Sequence, residues 1–168
     1  MYDRILVPTD GSKQGERAVS HAFDVAIHHG ASARVIYVVN AANYGGLPME
    51  TAWDGISDAL REEGQAAVDR AAELAPDGLE VETDVLEGSP SRVIVAEAQP
   101  ENCDIVVMGT HGRGGIDRLL LGSVTERVVR RAGVPVLTVR VDEKSVTAST
   151  GTAEAESESG QNASASVE

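Results

Sequence analysis

Residues 106–129 read VVMGTHGRGGIDRLLLGSVTERVV, and the fold turns on how they are read. An apolar run closes on Gly109, Gly112, Gly114 and Gly115 follow within six residues, and Gly122 stands directly before Ser123. An ordered glycine loses more conformational freedom than any other residue, so it is concentrated where the backbone must take φ > 0 or approach something closely. The run ending at Gly109 has the length and composition of a buried strand. Val124, Val128, Val129 and Ala132 carry the spacing of a helix face closed by Gly133. The stretch is therefore strand, glycine loop, helix. Taken alone, the loop is either a flexible turn or a cradle whose N–H groups, with those of the helix N-terminus, point at an anion.

Working outward, the same alternation recurs. RILVPT (4–9) is a short apolar strand broken by Pro, Asp and Gly. Ser12 suits an N-cap, and Ala18, Ala22, Phe23, Ala26 and Ile27 share a helical face that Gly30 stops. ARVIYVV (33–39) is a second strand, and residues 40–54 form a loop. Ile56, Leu60, Ala67, Val68, Ala71 and Leu74 mark a second helix ending at PDG (76–78). LEVETDVL (79–86) is a third strand, followed by a helix with Ser89 as N-cap and Pro90 at its first position, burying Val93, Ile94 and Ala98. DIVVMG (104–109) and VPVLTVRV (134–141) are the fourth and fifth strands.

This β-α-β-α-β-α-β-α-β series predicts a single-domain, doubly wound α/β fold, Rossmann-like or flavodoxin-like. It has a five-stranded parallel sheet of order 3-2-1-4-5 and helices on both faces. Pro135 places the fifth strand at an edge or starts it. The domain spans 1–141. Residues 142–168, rich in Ser, Ala, Glu and Thr, cannot bury enough surface to offset their ordering entropy and read as a disordered acidic tail.

Composition narrows the function. The formal net charge is −13, and only Lys13 and Lys144 among 14 basic residues are lysines. Such a surface repels nucleic acid phosphates. The low-lysine, acid-rich balance also suits a salt-adapted, halophilic protein. With no run of 18 apolar residues and no signal-peptide pattern in MYDRILVPTD, the expectation is a cytoplasmic protein without a membrane partner. Cys103 is the lone cysteine, beside the apolar run 105–108, and reads as a buried, inert thiol. His21, His28 and His29 lack the i, i+4 spacing of a helical metal pair, so no metal ligand is assigned. No nucleophile elbow or dedicated base accompanies the glycine loop, so no catalytic residue is assigned, and any hydrolysis at the loop should be slow. A receiver-type phosphoacceptor needs an aspartate where the third strand ends, and that strand ends LEGS.

In a doubly wound sheet, ligands sit beyond the strands' carboxyl ends where the strand order reverses. The loops PTDGS (8–12) and GTHGRGG (109–115) meet there. There is no GxxxxGK(S/T) and no GxGxxG after the first strand. The spacing Gly109-x2-Gly112-x9-Gly122-Ser123 is instead the G-2x-G-9x-G-(S/T) pattern of the universal stress protein family. VTERVVRRAGVPVLTVR after it, ILVPTDGS at 5–12, YVV at 37–39 and EGSP at 87–90 resemble the same family, over residues 1–140 or so.

The resemblance implies the ATP-binding branch of that family. It implies that Asp10 contacts ribose, with Pro8 and Thr9 shaping that wall. Val38 would bond adenine through its backbone, and Met108 would pack near the base. Gly109, Gly112, Gly122, Ser123 and Val124 would hold ribose and phosphates. Mg²⁺ would bridge phosphate oxygens against so much acid. The resemblance also implies a homodimer, and residues 136–140 at the fifth-strand edge suit antiparallel pairing with a second copy. ATP then acts as a conformational ligand of a regulatory stress-response protein. Two rivals stay open: a slow ATPase or autophosphorylating enzyme, and an interaction module that binds no nucleotide. Asp10 equally suits a cap of the first helix. His111 and Arg113 read as solvent-facing loop residues within reach of a phosphate. Tyr44 and Trp53 either cover the adenine pocket, contact a second copy or form a small cluster under the loop.

Overall fold

The computed structural model describes residues 1–40, 50–111 and 121–140, with 50–57 described in backbone alone. Tyr44, Gly112, Arg113, Gly114, Gly115, the side chain of Trp53 and the tail from 142 lie outside the described residues. The elements are β1 (Arg4–Thr9), α1 (Glu16–His29), β2 (Ser32–Val39), α2 (Glu50–Ala72), β3 (Val81–Glu87), α3 (Pro90–Glu97), β4 (Ile105–Gly109), α4 (Ser123–Arg131) and β5 (Val136–Val139). The strands form one parallel sheet of order β3-β2-β1-β4-β5, the order the alternation predicts.

The central strands are near-continuous apolar runs because helices cover both of their faces. Alternate residues divide between two cores, as the strand period of two requires. Ile5, Val7, Val35, Ile105 and Val107 face α1 and α2, where Val19, Phe23 and Val68 meet them. Leu6, Ile36, Val106 and Met108 face α3 and α4, where Ile94, Ala98 and Val128 meet them. Cys103 belongs to this second core, and burial is the main reason its thiol pKa is pushed up to about 11. Arg34 of β2 ties this side together, reaching Asp84 of β3 at 2.7 Å and Glu97 at the end of α3 at 2.6 Å.

Several expectations are corrected. The loop predicted over 40–54 gives way to helix at Glu50, because helix-forming residues precede the first apolar marker, Ile56. α1 starts at Glu16 with Gly15 as N-cap; Ser12 instead closes the turn before it, its Oγ accepting from the Gly15 N–H at 3.1 Å. Val19 is buried in α1, whereas Ile27 is exposed, and α2 stops at Ala72, leaving Leu74 exposed. Ser89 holds the N-cap position of α3 but makes no side-chain cap bond. In α4, Val124, Val128 and Ala132 pack inward as expected, Thr125 is buried beside them, and Val129 is exposed. Gly30 does stop α1, in a left-handed conformation at φ 67°. Gly133 follows the end of α4, where a Cβ would lie 3.3 Å from the Ala98 carbonyl oxygen. Its N–H donates to the Ala98 carbonyl at 2.9 Å, so α4 ends pressed against the end of α3.

Candidate functional site

The sheet comes apart at one place. β1 and β2 stay in register as far as Thr9–Tyr37, and β4 and β5 as far as Gly109–Val139. Between β1 and β4 the register pairs are Ile5–Ile105 and Leu6–Val106 only. Beyond them the two central strands diverge, with crossovers leaving toward opposite faces, and a cleft of about 540 Å³ opens at their carboxyl ends. Pro8, Thr9, Asp10, Val38, Met108, Gly109, Gly122, Ser123 and Val124 all line it. These are nine of the ten residues singled out from the sequence; Gly112 lies outside the described residues.

The β1 wall is a self-bonded turn. Asp10 Oδ1 accepts from the Ser12 N–H at 3.0 Å and from the Ser12 hydroxyl at 2.7 Å. Thr9 Oγ1 accepts from the N–H of Gly11, which stands at φ 69°. A Cβ on Gly15 would sit 2.9 Å from Asp10 Oδ1, so this glycine supplies space. Asp10 therefore orders the β1–α1 turn and does not cap α1, which starts six residues later.

The facing wall is the end of β4 joined to the start of α4. The Gly122 N–H donates to the Thr110 carbonyl at 2.9 Å, and the Thr125 hydroxyl donates to the Gly109 carbonyl at 2.9 Å. Gly122 has φ −59° and ψ 147°, a conformation open to any residue. A Cβ there would lie 3.2 Å from the Thr110 oxygen, a tight contact that the loop must yield by a few tenths of an ångström to accept. The first turn of α4 thus presents its N–H groups, and the positive end of the helix dipole, at the cleft.

The floor is apolar, formed by Ile36, Val38, Ile94, Met108 and Pro90, with Tyr37 and Asn40 at its side. Among the described lining residues Asp10 is the single carboxylate, His111 the single group able to carry positive charge, and Lys and Arg are absent. His111 Nδ1 lies 3.1 Å from Thr110 Oγ1, and its Nε2 is buried without a partner among the described residues. Sequence reasoning missed Gly15, Tyr37, Asn40 and Thr125. Thr125 left one signal: it is a hydroxyl three residues from Val128, on the apolar stripe of α4.

Among the described residues no helix is long and apolar enough to cross a membrane. The model of the Universal stress protein family matches residues 1–140. Universal stress protein MJ0531 of Methanocaldococcus jannaschii is 42% identical over 145 residues, covering 86% of this chain and 85% of that one. The solved structure of MJ0577, from the same organism, superposes with a TM-score of 0.69 at 26% identity, over 86% of this chain and 99% of that one. A universal stress protein crystallised in complex with cAMP superposes with a TM-score of 0.57 at 30% identity, over 84% of this chain and 98% of that one. With strand order, glycine spacing and cleft already in agreement, this chain belongs to the universal stress protein family.

Proposed function

We propose that the cleft binds an adenine nucleotide, ATP with Mg²⁺, as a conformational ligand. One observation carries the reading. The N-terminus of α4 is held against Gly109 on one wall, Asp10 stands on the other, and an apolar slot lies between them. These are the complements of a triphosphate, a ribose and a purine. About 540 Å³ also falls within the usual range of small-molecule pockets, about 300–1,000 Å³. The cAMP-bound relative supports the ligand class.

In this reading the Val38 backbone bonds the adenine edge and Met108 packs on the base. Asp10 accepts from a ribose hydroxyl, with Pro8 and Thr9 as its wall. Gly109, Gly112, Ser123 and Val124 hold ribose and phosphates through their N–H groups and the Ser123 hydroxyl, and Gly122, whose N–H bonds the Thr110 carbonyl, lines the same site. Mg²⁺ would come bound to the nucleotide and offset its charge, since the described lining offers one carboxylate, Asp10. No residue is assigned to hydrolysis.

A homodimer forms through residues 136–140. β5 is an edge strand of Val, Leu, Thr and Val, whereas the opposite edge, β3, carries Glu82, Asp84 and Glu87, which discourage strand pairing. The test is isothermal titration with ATP·Mg²⁺, adenosine and cAMP at high salt. Saturable ATP binding, weakened at least tenfold by Gly122→Val, is expected; no saturation at millimolar ATP sinks the reading. A monomer by sedimentation at micromolar protein sinks the dimer.

A further inference from the structure

Where the sheet splits, backbone groups that a continuous sheet would pair lose their partners. The Val106 N–H donates to the Pro135 carbonyl at 3.0 Å, and the Thr110 N–H to the Val139 carbonyl at 2.9 Å. Even-numbered residues of this stretch thus turn their backbone groups toward β5. Odd-numbered Gly109 turns its carbonyl the other way, toward β1, where pairing has ended. The group that reaches it is the hydroxyl of Thr125, at 2.9 Å, from a side chain only 3% exposed. A buried hydroxyl and a carbonyl at the cleft wall are satisfied by one bond.

We infer that Thr125 is a positioning residue for the ligand's phosphate end. Its bond stands in for the missing rung of the sheet and fastens the first turn of α4 to the last residue of β4. The Gly122 N–H to Thr110 carbonyl bond makes a second fastening alongside it. Together they fix where the N–H groups of Ser123 and Val124 point, through a link separate from the chain segment that joins β4 to α4. Thr125 itself belongs to neither the glycine pattern nor the assigned ligand contacts. Thr125→Val keeps the shape and removes the donor, leaving the Gly109 carbonyl unserved. Thr125→Ser keeps the donor and removes a methyl group.

This inference rests on the nucleotide reading, so its test has a ligand-dependent arm and a ligand-independent arm. In the first, affinities for ATP·Mg²⁺ and adenosine are compared by titration. Thr125→Val should weaken ATP about tenfold and adenosine less than twofold, and Thr125→Ser should restore ATP binding to within about twofold of the parent. Equal weakening of both ligands, or unchanged ATP affinity in a Thr125→Val protein of lowered Tm, would reduce Thr125 to a structural residue and overturn the inference. In the second arm, amide exchange is followed without ligand at Gly122 and Glu126, whose N–H groups bond the Thr110 and Gly122 carbonyls at 2.9 and 2.8 Å. Exchange should quicken at least fivefold in Thr125→Val and stay near the parent rate in Thr125→Ser. If the parent binds no ATP, the nucleotide reading fails alone and this arm still decides the fastening. Unchanged exchange in Thr125→Val removes it.

Discussion

The two faces of the sheet are built to different ends. One is sealed by α1 and α2, of 14 and 23 residues, which run the length of the strands. Phe23, Val68, Val35 and Val107 meet there with almost no exposure. The other face carries α3 and α4, of 8 and 9 residues. Two such short helices cannot cover the strands' full length at 1.5 Å per residue. They pack on Leu6, Ile36 and Val106, and the cleft opens where that cover ends, over Val38 and Met108. The long-helix face is mostly stability; the short-helix face gives up some buried area and gains a site.

Truncating one core residue on each face tests this division most strongly. Phe23→Ala should cost about 3–5 kcal/mol, and Ile94→Ala about 2–5 kcal/mol, by denaturant unfolding. The faces should separate in titration of the folded fraction. Phe23→Ala should leave nucleotide affinity within about twofold, whereas Ile94→Ala, in the cleft floor, should weaken it severalfold. Equal effects on affinity would erase the distinction between the faces.

Gly64, in the middle of α2, sharpens the picture of the sealed face. Gly→Ala inside a helix normally stabilises by about 0.8–1.0 kcal/mol. Here a Cβ would stand 2.8 Å from Tyr37 Cδ1 and 2.9 Å from Val85 Cγ1. Close packing of α2 on β2 and β3 should reverse the sign, so that Gly64→Ala destabilises by about 1–3 kcal/mol in the same unfolding assay. A stabilised variant would mean that α2 lies more loosely on the sheet than this.

The smallest effect belongs at the opposite end of the strands from the cleft. Asp104 accepts from the N–H groups of Arg4 and Asp3 at 2.8 and 2.7 Å, and these bonds hold its carboxyl below the usual range. A depressed folded-state value means stability that is present above the unfolded value near pH 4 and is lost as pH falls through the folded one. Because these bonds lie exposed to solvent, the contribution is small. Asp104→Asn should lower Tm slightly at every pH above about 4, with the difference from the parent closing as pH falls through the folded-state value, and leave nucleotide affinity unchanged. A change in affinity would mean that the two ends of the strands are coupled.

The strands were legible because their period of two is a local property of backbone geometry. RILVPT matches β1 residue for residue, and the other strands shift by a residue or two at their ends. Helix faces were less legible. Apolar spacing puts Val129 inside and gives Thr125 no place there, because apolarity carries no information about which backbone group needs a donor. Most of the candidate lining was legible through the glycine spacing and PTDGS. The reason for individual glycines was not, because Gly122 and Gly15 are set by atoms that approach them across the cleft wall and the turn.

By itself, the sequence determined the order of elements, the parallel sheet that follows from it, the family, and the two loops that meet at the site. All of these rest on spacing along the chain, which the backbone converts directly into direction and face. Only the tertiary structure decided where β1 and β4 part, that the Thr125 hydroxyl takes the carbonyl left over at Gly109, and which glycines are needed for space. Those outcomes depend on distances between atoms of segments far apart in sequence. Such distances are set by how helices of particular length and side-chain size settle on a twisted sheet.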